Sequence, residues 1–372
     1  MKSKVLKFAL IGATLVLVVA LLTGCGEKQA APTAIESAAS ASEWSLDNPA
    51  LQAVVAVQER HTANLMKNSE VVGTYVTVTE AGQPVIVVMT KSSALQKGPG
   101  GLPSELESVP LLVQVTGEIK ALKGGSGGSV SHTAKQTAPI SLGTSGGWSY
   151  DLANGYCCGG TLGSLVAIGG NKYILSNYHV LEADIVSGGN SRVAATGDPV
   201  IQPGLIDVNC SAAGAQNVAT LVKKSSLPSS NVDCAVAQVA SGMVKTDGTI
   251  LEIGTISATT VAAAVNQAVK KSGRTTGLTR SSVSGLNGTV SVTYDNECAG
   301  GTAFTKTFTG QIIINNKGSR FLDSGDSGSL MVQDVTTSPK AVGLLFAGSS
   351  STAIANPIGQ VLSFLNATMV GN

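Results

Sequence analysis

Residues 324–329 read Ser-Gly-Asp-Ser-Gly-Ser and run directly into the apolar stretch Leu330-Met331-Val332. A serine hydroxyl is a weak nucleophile unless a nearby base takes its proton as it attacks. Glycines on both sides of Ser327 let the backbone bend, so that the hydroxyl is presented and neighbouring amides point at one spot. An ordinary glycine turn would also explain these residues, because the chain contains 44 glycines. The hexapeptide therefore predicts a nucleophile only if a base and an orienting acid are found elsewhere.

The search for the base is short because the chain has three histidines. His61 lies in an amphipathic segment and is expected at the edge of a helix, and His132 lies in a glycine-rich and serine-rich segment that is typical of a linker. His179 follows an apolar strand, residues 173–175, and precedes Val180. A polar ring at the end of a strand is where a rigid scaffold presents a base. We expect His179 to be that base, although a purely structural histidine is the alternative.

A candidate acid interrupts the apolar strand at residues 232–237, which read Val-Asp-Cys-Ala-Val-Ala. A carboxylate is costly to bury unless it is paired or hydrogen-bonded. A role for Asp233 in accepting a hydrogen bond from an imidazole N–H would explain its position. Asp207 is the competing candidate, but its surroundings are less apolar and less strand-like.

The order of His179, Asp233 and Ser327, with gaps of 54 and 94 residues, resembles that of the chymotrypsin-like serine proteases. In that family, the histidine and the aspartate come from one β-barrel and the serine from a second. The resemblance covers about residues 139–365. It is carried by the segments at 159–163 (GGTLG), 174–180 (ILSNYHV), 232–235 (VDCA) and 325–329 (GDSGS).

The resemblance implies an acyl-enzyme mechanism with no metal or organic cofactor. His179 would be the general base, Asp233 would orient its ring, and the amides of Gly325 and Ser327 would receive the oxyanion. The substrate chain would pair as an added strand with the residues Leu345, Phe346, Ala347 and Gly348.

Residues 271–277 (KSGRTTG) are similar to a segment of the bacterial alpha-lytic-type branch of this family. That similarity implies an ion pair between Arg274 and Asp326, the residue before the nucleophile. The sequence departs from the family at Val180, where a cysteine is usual, and at Ser329, where a glycine is usual. The position that sets side-chain preference falls near Phe321, so a preference for Arg or Lys is not supported.

Chain order excludes two other hydrolase classes. An α/β-hydrolase needs its histidine after the serine, and no histidine follows His179. A subtilisin-like order needs the aspartate before the histidine, where only Asp47 and Asp151 are available.

The N-terminus reads as a secretory signal, with lysines up to Lys7 and an apolar run over residues 8–22. The run of 15 residues is shorter than the roughly 20 that span a bilayer. It is followed by Leu-Thr-Gly and Cys25, which resemble the lipobox of bacterial lipoproteins. The resemblance implies cleavage before Cys25, diacylglycerol on its thiol and an acyl group such as palmitate on its amine. The protein would then be anchored by lipid in a bacterial cell envelope, facing the periplasm or the exterior.

Composition sets the remaining limits. From Cys25 onward, 21 basic residues face 23 acidic ones, so a nucleic-acid partner is not expected. Many glycines and few aromatic residues favour short strands joined by turns. The sequence predicts an all-β double β-barrel with a C-terminal helix, preceded by a small α+β domain. The expected parts are a signal peptide, a tether, the α+β domain, a linker and the protease domain, at residues 1–24, 25–44, 45–122, 123–147 and 148–372.

The function predicted from these features is that of a lipid-anchored serine endopeptidase acting on protein or peptide chains. A protease-like module that binds a partner without catalysis is the alternative. The α+β domain could be a pro-region that is removed or a permanent module next to the anchor, and the sequence leaves both open.

Overall fold

A computed structural model describes residues 43–96, 101–122, 130–153, 156–182, 192–294, 303–318 and 320–372. The predicted signal peptide, Cys25 and all but the last two residues of the predicted tether lie outside these residues. None of the helices within the described ranges is long and apolar enough to cross a membrane.

The N-terminal region, residues 43–122, is a helix packed on a small sheet. Its helix α1 (Pro49–Leu65) begins where Asn48 Oδ1 accepts the amides of Ala50 and Leu51, and Pro49 occupies the first turn, where no amide partner is needed. An Asn cap followed by Pro is a start signal that can be read from the sequence alone. The strands that follow are β1 (Val71–Val78), β2 (Pro84–Thr90), β3 (Glu105–Leu106), β4 (Val109–Val115) and β5 (Ile119–Ala121), with a 3₁₀ turn at Ser93–Gln96.

The first part of the C-terminal body forms an eight-stranded sheet. This part of the chain begins with a short helix, α2 (Val130–Thr133), and also contains the helical turn α3 (Tyr178–Leu181). The strands of this sheet are β6 (Thr144–Trp148), β9 (Gly160–Leu162), β10 (Ser164–Ile168), β11 (Asn171–Ser176), β12 (Pro199–Gln202), β13 (Gln216–Val222), β14 (Ala235–Val239) and β23 (Thr368–Met369). In spatial order they run β23-β10-β11-β14-β13-β12-β6-β9.

The second part of the body belongs to an eleven-stranded sheet that also takes in the N-terminal strands. The strands that the body contributes are β17 (Ala268–Gly273), β18 (Gly277–Tyr294), β19 (Phe304–Asn315), β20 (Leu330–Gln333), β21 (Ala341–Gly348) and β22 (Thr352–Pro357). The spatial order of the sheet is β17-β20-β21-β22-β19-β18-β1-β2-β4-β3, and β5 pairs with both β18 and β21. Short pairs complete the list: β7 (Leu152–Ala153) with β8 (Tyr156–Cys157), and β15 (Thr249–Ile250) with β16 (Gly254–Thr255).

The two regions share one sheet because β1 pairs with the long strand β18. The apolar face of α1 packs into the same hydrophobic cluster as Ile314 and Leu345 of the body. The terminal helix α4 (Ile358–Leu365), expected from its spacing, lies on a cluster that joins both parts of the body. The architecture is mostly β, with curled sheets that are consistent with a chymotrypsin-like fold.

The predicted linker is wrong over part of its length. Thr144–Gly147 belong to strand β6 of the eight-stranded sheet, and His132 is 1 % exposed. Glycines suggested a flexible segment here, but Gly146 is required by packing, because a Cβ would lie 2.4 Å from Leu162 Cγ. Backbone pairing with β9 and β12 therefore overrides the composition of this segment.

Candidate active site

His179 and Asp233 meet at one end of the eight-stranded sheet. Strand β11 leads through Asn177 into the turn α3, which carries His179, and Asp233 directly precedes strand β14, which pairs with β11. The Nδ1 atom of His179 lies 2.6 Å from Asp233 Oδ2. Both side chains are buried, with 3 % and 0 % of their surface exposed. A buried carboxylate that accepts an imidazole N–H fixes the tautomer and leaves Nε2 free to take a proton.

Asp233 is held by three further contacts that the sequence did not reveal. Its Oδ2 accepts a second hydrogen bond at 2.8 Å, from the hydroxyl of Tyr294. Its amide donates to Asn356 Oδ1, and its carbonyl accepts from Asn177 Nδ2. Tyr294 and Asn356 lie on β18 and β22, far along the chain, so no local spacing could have identified them. The Tyr294 hydroxyl and the imidazole satisfy a carboxylate that would otherwise be costly to bury, and the two contacts of the amide and the carbonyl fix the backbone of Asp233.

Ser327 lies on the loop that enters β20, and its backbone lies close to the residue that follows His179. Gly160 packs between the two, since a Cβ at this position would lie 2.6 Å from Val180 Cγ2 and 3.0 Å from the Ser327 carbonyl oxygen. The Ser327 hydroxyl donates to the carbonyl of Phe346 at 3.2 Å, and His179 Nε2 has no hydrogen-bond partner within the described part of the chain. The Ser327 hydroxyl and the imidazole are therefore not hydrogen-bonded to each other here, and catalytic hydrogen bonds often tighten only in the substrate complex.

The loop around Ser327 is fixed by Asp326, which is fully buried. Its Oδ1 accepts the amides of Thr275 and Thr276, and its Oδ2 accepts the Thr276 hydroxyl and the Asp323 amide. Gly325 has a φ of +93°, which favours glycine, and its amide points at the carbonyl oxygen of Leu122.

The predicted ion pair between Arg274 and Asp326 is wrong. The Arg274 guanidinium forms a bidentate pair with Asp207, at 2.6 and 2.9 Å. The partner of Asp326 is Lys271, whose Nζ lies 3.3 Å from Oδ2 with neither side chain exposed. Side chains alternate faces along β17, and this alternation places Lys271 under the loop while Arg274, just past the strand end, reaches toward Ser145 and Asp207. Burial lowers the pKa of Lys271, and Asp326 opposes that shift.

The groove beside Ser327 is occupied by the chain's own strand β5. Ala121 and Lys120 pair antiparallel with Ala347 and Gly348, in the segment that the sequence predicted as the substrate strand. The next residue, Leu122, donates its amide to the Phe346 carbonyl at 3.4 Å. Its carbonyl oxygen accepts the Gly325 amide at 2.9 Å. The Leu122 carbonyl oxygen thus accepts one of the two amides that the sequence predicted to receive an oxyanion.

The side chain of Leu122 packs against the hydrophobic cluster that contains Phe321, Leu322 and Leu345. Its Cδ1 would lie 3.2 Å from a Cβ added at Gly348. A cavity of about 490 Å³ continues beyond it along Leu322 and Asn316. The position predicted to set side-chain preference, Phe321, is fully buried and apolar.

Asp207, the competing acid, contacts Arg274 and Ser145 and, among the described residues, forms no ion pair with His179. Cys157 forms a disulfide with Cys210. The catalytic roles of His179, Asp233 and Ser327, the oxyanion role of the Ser327 amide and the lipidation of Cys25 stay predictions.

Comparisons with known proteins found similarity only at the level of solved structures. No family model and no curated protein matches the sequence. A glutamic-acid-specific serine protease with a histidine triad in substrate binding is 19 % identical over 62 % of this chain and 100 % of its own, with a TM-score of 0.41. Protease A of Thermobifida fusca is 19 % identical over 63 % of this chain and 99 % of its own, with a TM-score of 0.39. Chymotrypsin of Cellulomonas bogoriensis is 20 % identical over 57 % of this chain and 91 % of its own, with a TM-score of 0.35.

These neighbours are chymotrypsin-like bacterial proteases. Fold does not determine activity, so we argue function from the site of this chain alone.

Proposed function

We propose that the protein is a serine endopeptidase whose first substrate is its own bond between Leu122 and Lys123. One observation carries the proposal: the Leu122 carbonyl oxygen accepts the Gly325 amide at 2.9 Å while the chain pairs with the strand beside Ser327. The pair formed by His179 and Asp233 supports the required proton transfers.

The reaction would proceed through an ester on Ser327. Its Oγ attacks the carbonyl carbon of Leu122 as His179 Nε2 takes the hydroxyl proton, and the Gly325 amide stabilises the oxyanion. The C–N bond to Lys123 then breaks, and His179 returns the proton to the leaving amine. Water, activated by the same imidazole, hydrolyses the ester and frees Ser327.

The test uses the full chain and its Ser327→Ala variant. We expect wild type to convert into two fragments, with a new N-terminus at Lys123, and Ser327→Ala to stay intact. Ser324→Ala, which removes a half-buried hydroxyl from the same loop, serves as the matched control and should cleave like wild type. If folded wild type is neither cleaved nor labelled by a serine-directed phosphonate, the alternative of a catalytically silent binding module is supported instead.

We also infer that Cys25 carries lipid. The support is the sequence at residues 22–25, which follows an apolar leader. Cleavage after Leu122 would leave only non-covalent contacts, such as those of β1 with β18, between the anchored region and the body. Intact mass measurement of the cellular N-terminal fragment should show acyl chains that are lost in Cys25→Ser, and an unmodified fragment would contradict the anchor.

A further inference from the structure

Strand β5 lies between two strands of the body. On one side it pairs antiparallel with β21, and on the other it pairs parallel with β18, where Ile119 faces Val292 and Lys120 faces Thr293. The side chain of Ile119 is 1 % exposed, within a hydrophobic cluster that includes Val292 and Phe346. Lys120 is exposed. The groove therefore holds its occupant from both edges, and it buries the residue three positions before Leu122.

The next residue on β18 is Tyr294, and its hydroxyl donates to Asp233 Oδ2. The same oxygen pairs with His179 Nδ1 at 2.6 Å. The Tyr294 ring is stacked on Phe304 at 4.7 Å between centroids, with an interplanar angle of 7°. It also meets the imidazole edge-on at 5.9 Å. Because the ring is buried and stacked, the position of its hydroxyl follows the position of the strand.

A hydrogen bond to a buried carboxylate is stronger than one between neutral groups. The Tyr294 hydroxyl fixes the carboxylate of Asp233, and that carboxylate fixes the imidazole ring. Burial and the nearby charge of Asp233 both raise the pKa of Tyr294, so it stays a donor at neutral pH.

We propose that Tyr294 is a positioning residue that couples occupation of the groove by a long substrate to the orientation of His179 and Asp233. The inference rests on the proposed peptidase function and specifies its substrates. These are extended chains with an apolar residue immediately before the cleaved bond and a second one three positions earlier. Between them, the position of Lys120 faces solvent and accepts varied side chains.

The experiment is a cycle of variants in the full chain. Since β5 already occupies the groove, self-cleavage is intramolecular, and its first-order rate reports the chemical step without a contribution from KM. The variants are Tyr294→Phe, Ile119→Gly and the double variant. Tyr75→Phe is the matched control, because it also removes a buried phenol hydroxyl from the same cluster. That hydroxyl donates to Gln114 at 2.8 Å and not to Asp233.

We expect Tyr294→Phe and Ile119→Gly each to slow self-cleavage by about tenfold or more, as loss of a charged hydrogen bond would. The rate of the double variant should lie within about threefold of the rate of the slower single variant, because both changes interrupt the same coupling. Tyr75→Phe should cleave at the wild-type rate. Phe304→Leu removes the ring stacked on Tyr294 but keeps the Tyr294 hydroxyl, so it should slow self-cleavage less than Tyr294→Phe does.

Two results would overturn the inference: effects that multiply in the double variant, or a Tyr294→Phe rate equal to that of wild type. Multiplied effects would mean that Ile119 acts only by holding the strand in the groove. Phosphonate labelling of Ser327 would then rise in Ile119→Gly as the groove empties. If wild type itself neither cleaves nor reacts with the phosphonate, the peptidase proposal fails, which distinguishes the two failures.

Discussion

The N-terminal region and the C-terminal body treat charge in opposite ways. In residues 43–122, the described ion pairs lie at the surface, as where Arg60 contacts Glu107, and the buried polar side chains are neutral ones such as Gln58 and Thr74. The body buries Asp233, Asp326, Lys271 and Arg274. Burying charge costs several kcal/mol unless partners compensate, so a body that does so repeatedly is built around specific geometry. The N-terminal region is held by apolar packing and neutral hydrogen bonds, and it supplies strand β5 to the groove.

The largest effect should come from the buried acid of the site. Asp233→Asn keeps the shape of the side chain but favours the wrong imidazole tautomer, and it should slow self-cleavage by about 10⁴-fold. The rate is measured from the loss of the intact chain on gels. Asp207→Asn, which alters the competing acid, should cost far less in rate, and equal losses in the two variants would show that Asp233 has no special role.

The buried pair beneath the nucleophile loop should dominate stability. Lys271→Met leaves the carboxylate of Asp326 without its cation and should lower the free energy of unfolding by about 3–5 kcal/mol. Urea unfolding in a Ser327→Ala background, which prevents cleavage, measures this change. Adding Asp326→Asn to Lys271→Met should recover part of the loss, whereas further destabilisation equal to the sum of the single changes would contradict a direct pairing.

A smaller effect is expected where the two regions meet in the groove. Leu122→Ser removes the apolar side chain from its pocket and should slow self-cleavage by about tenfold to a hundredfold. Lys120→Ala, at an exposed position on the same strand, is the control and should change the rate little. A Leu122→Ser chain that cleaves at the wild-type rate would exclude this pocket as the source of specificity.

His132 should contribute a moderate dependence of stability on acid. Burial lowers its pKa from the ordinary value of 6.5, and Lys271 adds to that shift, while Glu252 and Asp326 oppose it. The folded state therefore binds this proton less readily than the unfolded state, so the stabilisation is present above pH 6.5 and decreases as pH falls below it. In the Ser327→Ala background, His132→Gln should reduce the change of the unfolding midpoint with pH between about pH 6.5 and 5. An unchanged slope would show that another group controls it.

The smallest effect should come from the surface pair of the N-terminal region. Arg60 and His61 both contact Glu107 and lower its pKa from 4.5 to about 2, so this stabilisation is complete above the ordinary value and decreases as pH falls from there to about 2. At neutral pH, Arg60→Ala should shift the thermal midpoint by less than about 3 °C. A shift as large as that of Lys271→Met would remove the contrast between the two regions.

Much of the site could be predicted because its chemistry restricts which residues can serve. Few histidines were available, one acid interrupted an apolar strand, and Gly325 and Gly328 lay close to Ser327, so these local features and the chain order singled out His179, Asp233 and Ser327 as candidates. The start of α1 was also predictable, since an Asn cap followed by Pro is a local signal.

Other features depended on contacts between distant residues. The predicted partner of Asp326 was wrong because either Lys271 or Arg274 could supply the positive charge. Only the direction of each side chain at the end of β17 decided between them. The sequence identified neither Tyr294 as a partner of Asp233 nor Leu122 as the occupant of the groove. Their hydrogen bonds join residues separated by 61 and about 200 positions.

By itself, then, the sequence singled out the candidate groups for the chemistry, because reactivity belongs to side chains and to the turns that flank them. Tertiary structure alone decided which charged side chains pair, how the predicted orienting acid Asp233 is held and that strand β5 fills the groove beside Ser327. Those outcomes depend on strand pairing and burial across the whole molecule, and local patterns do not encode them.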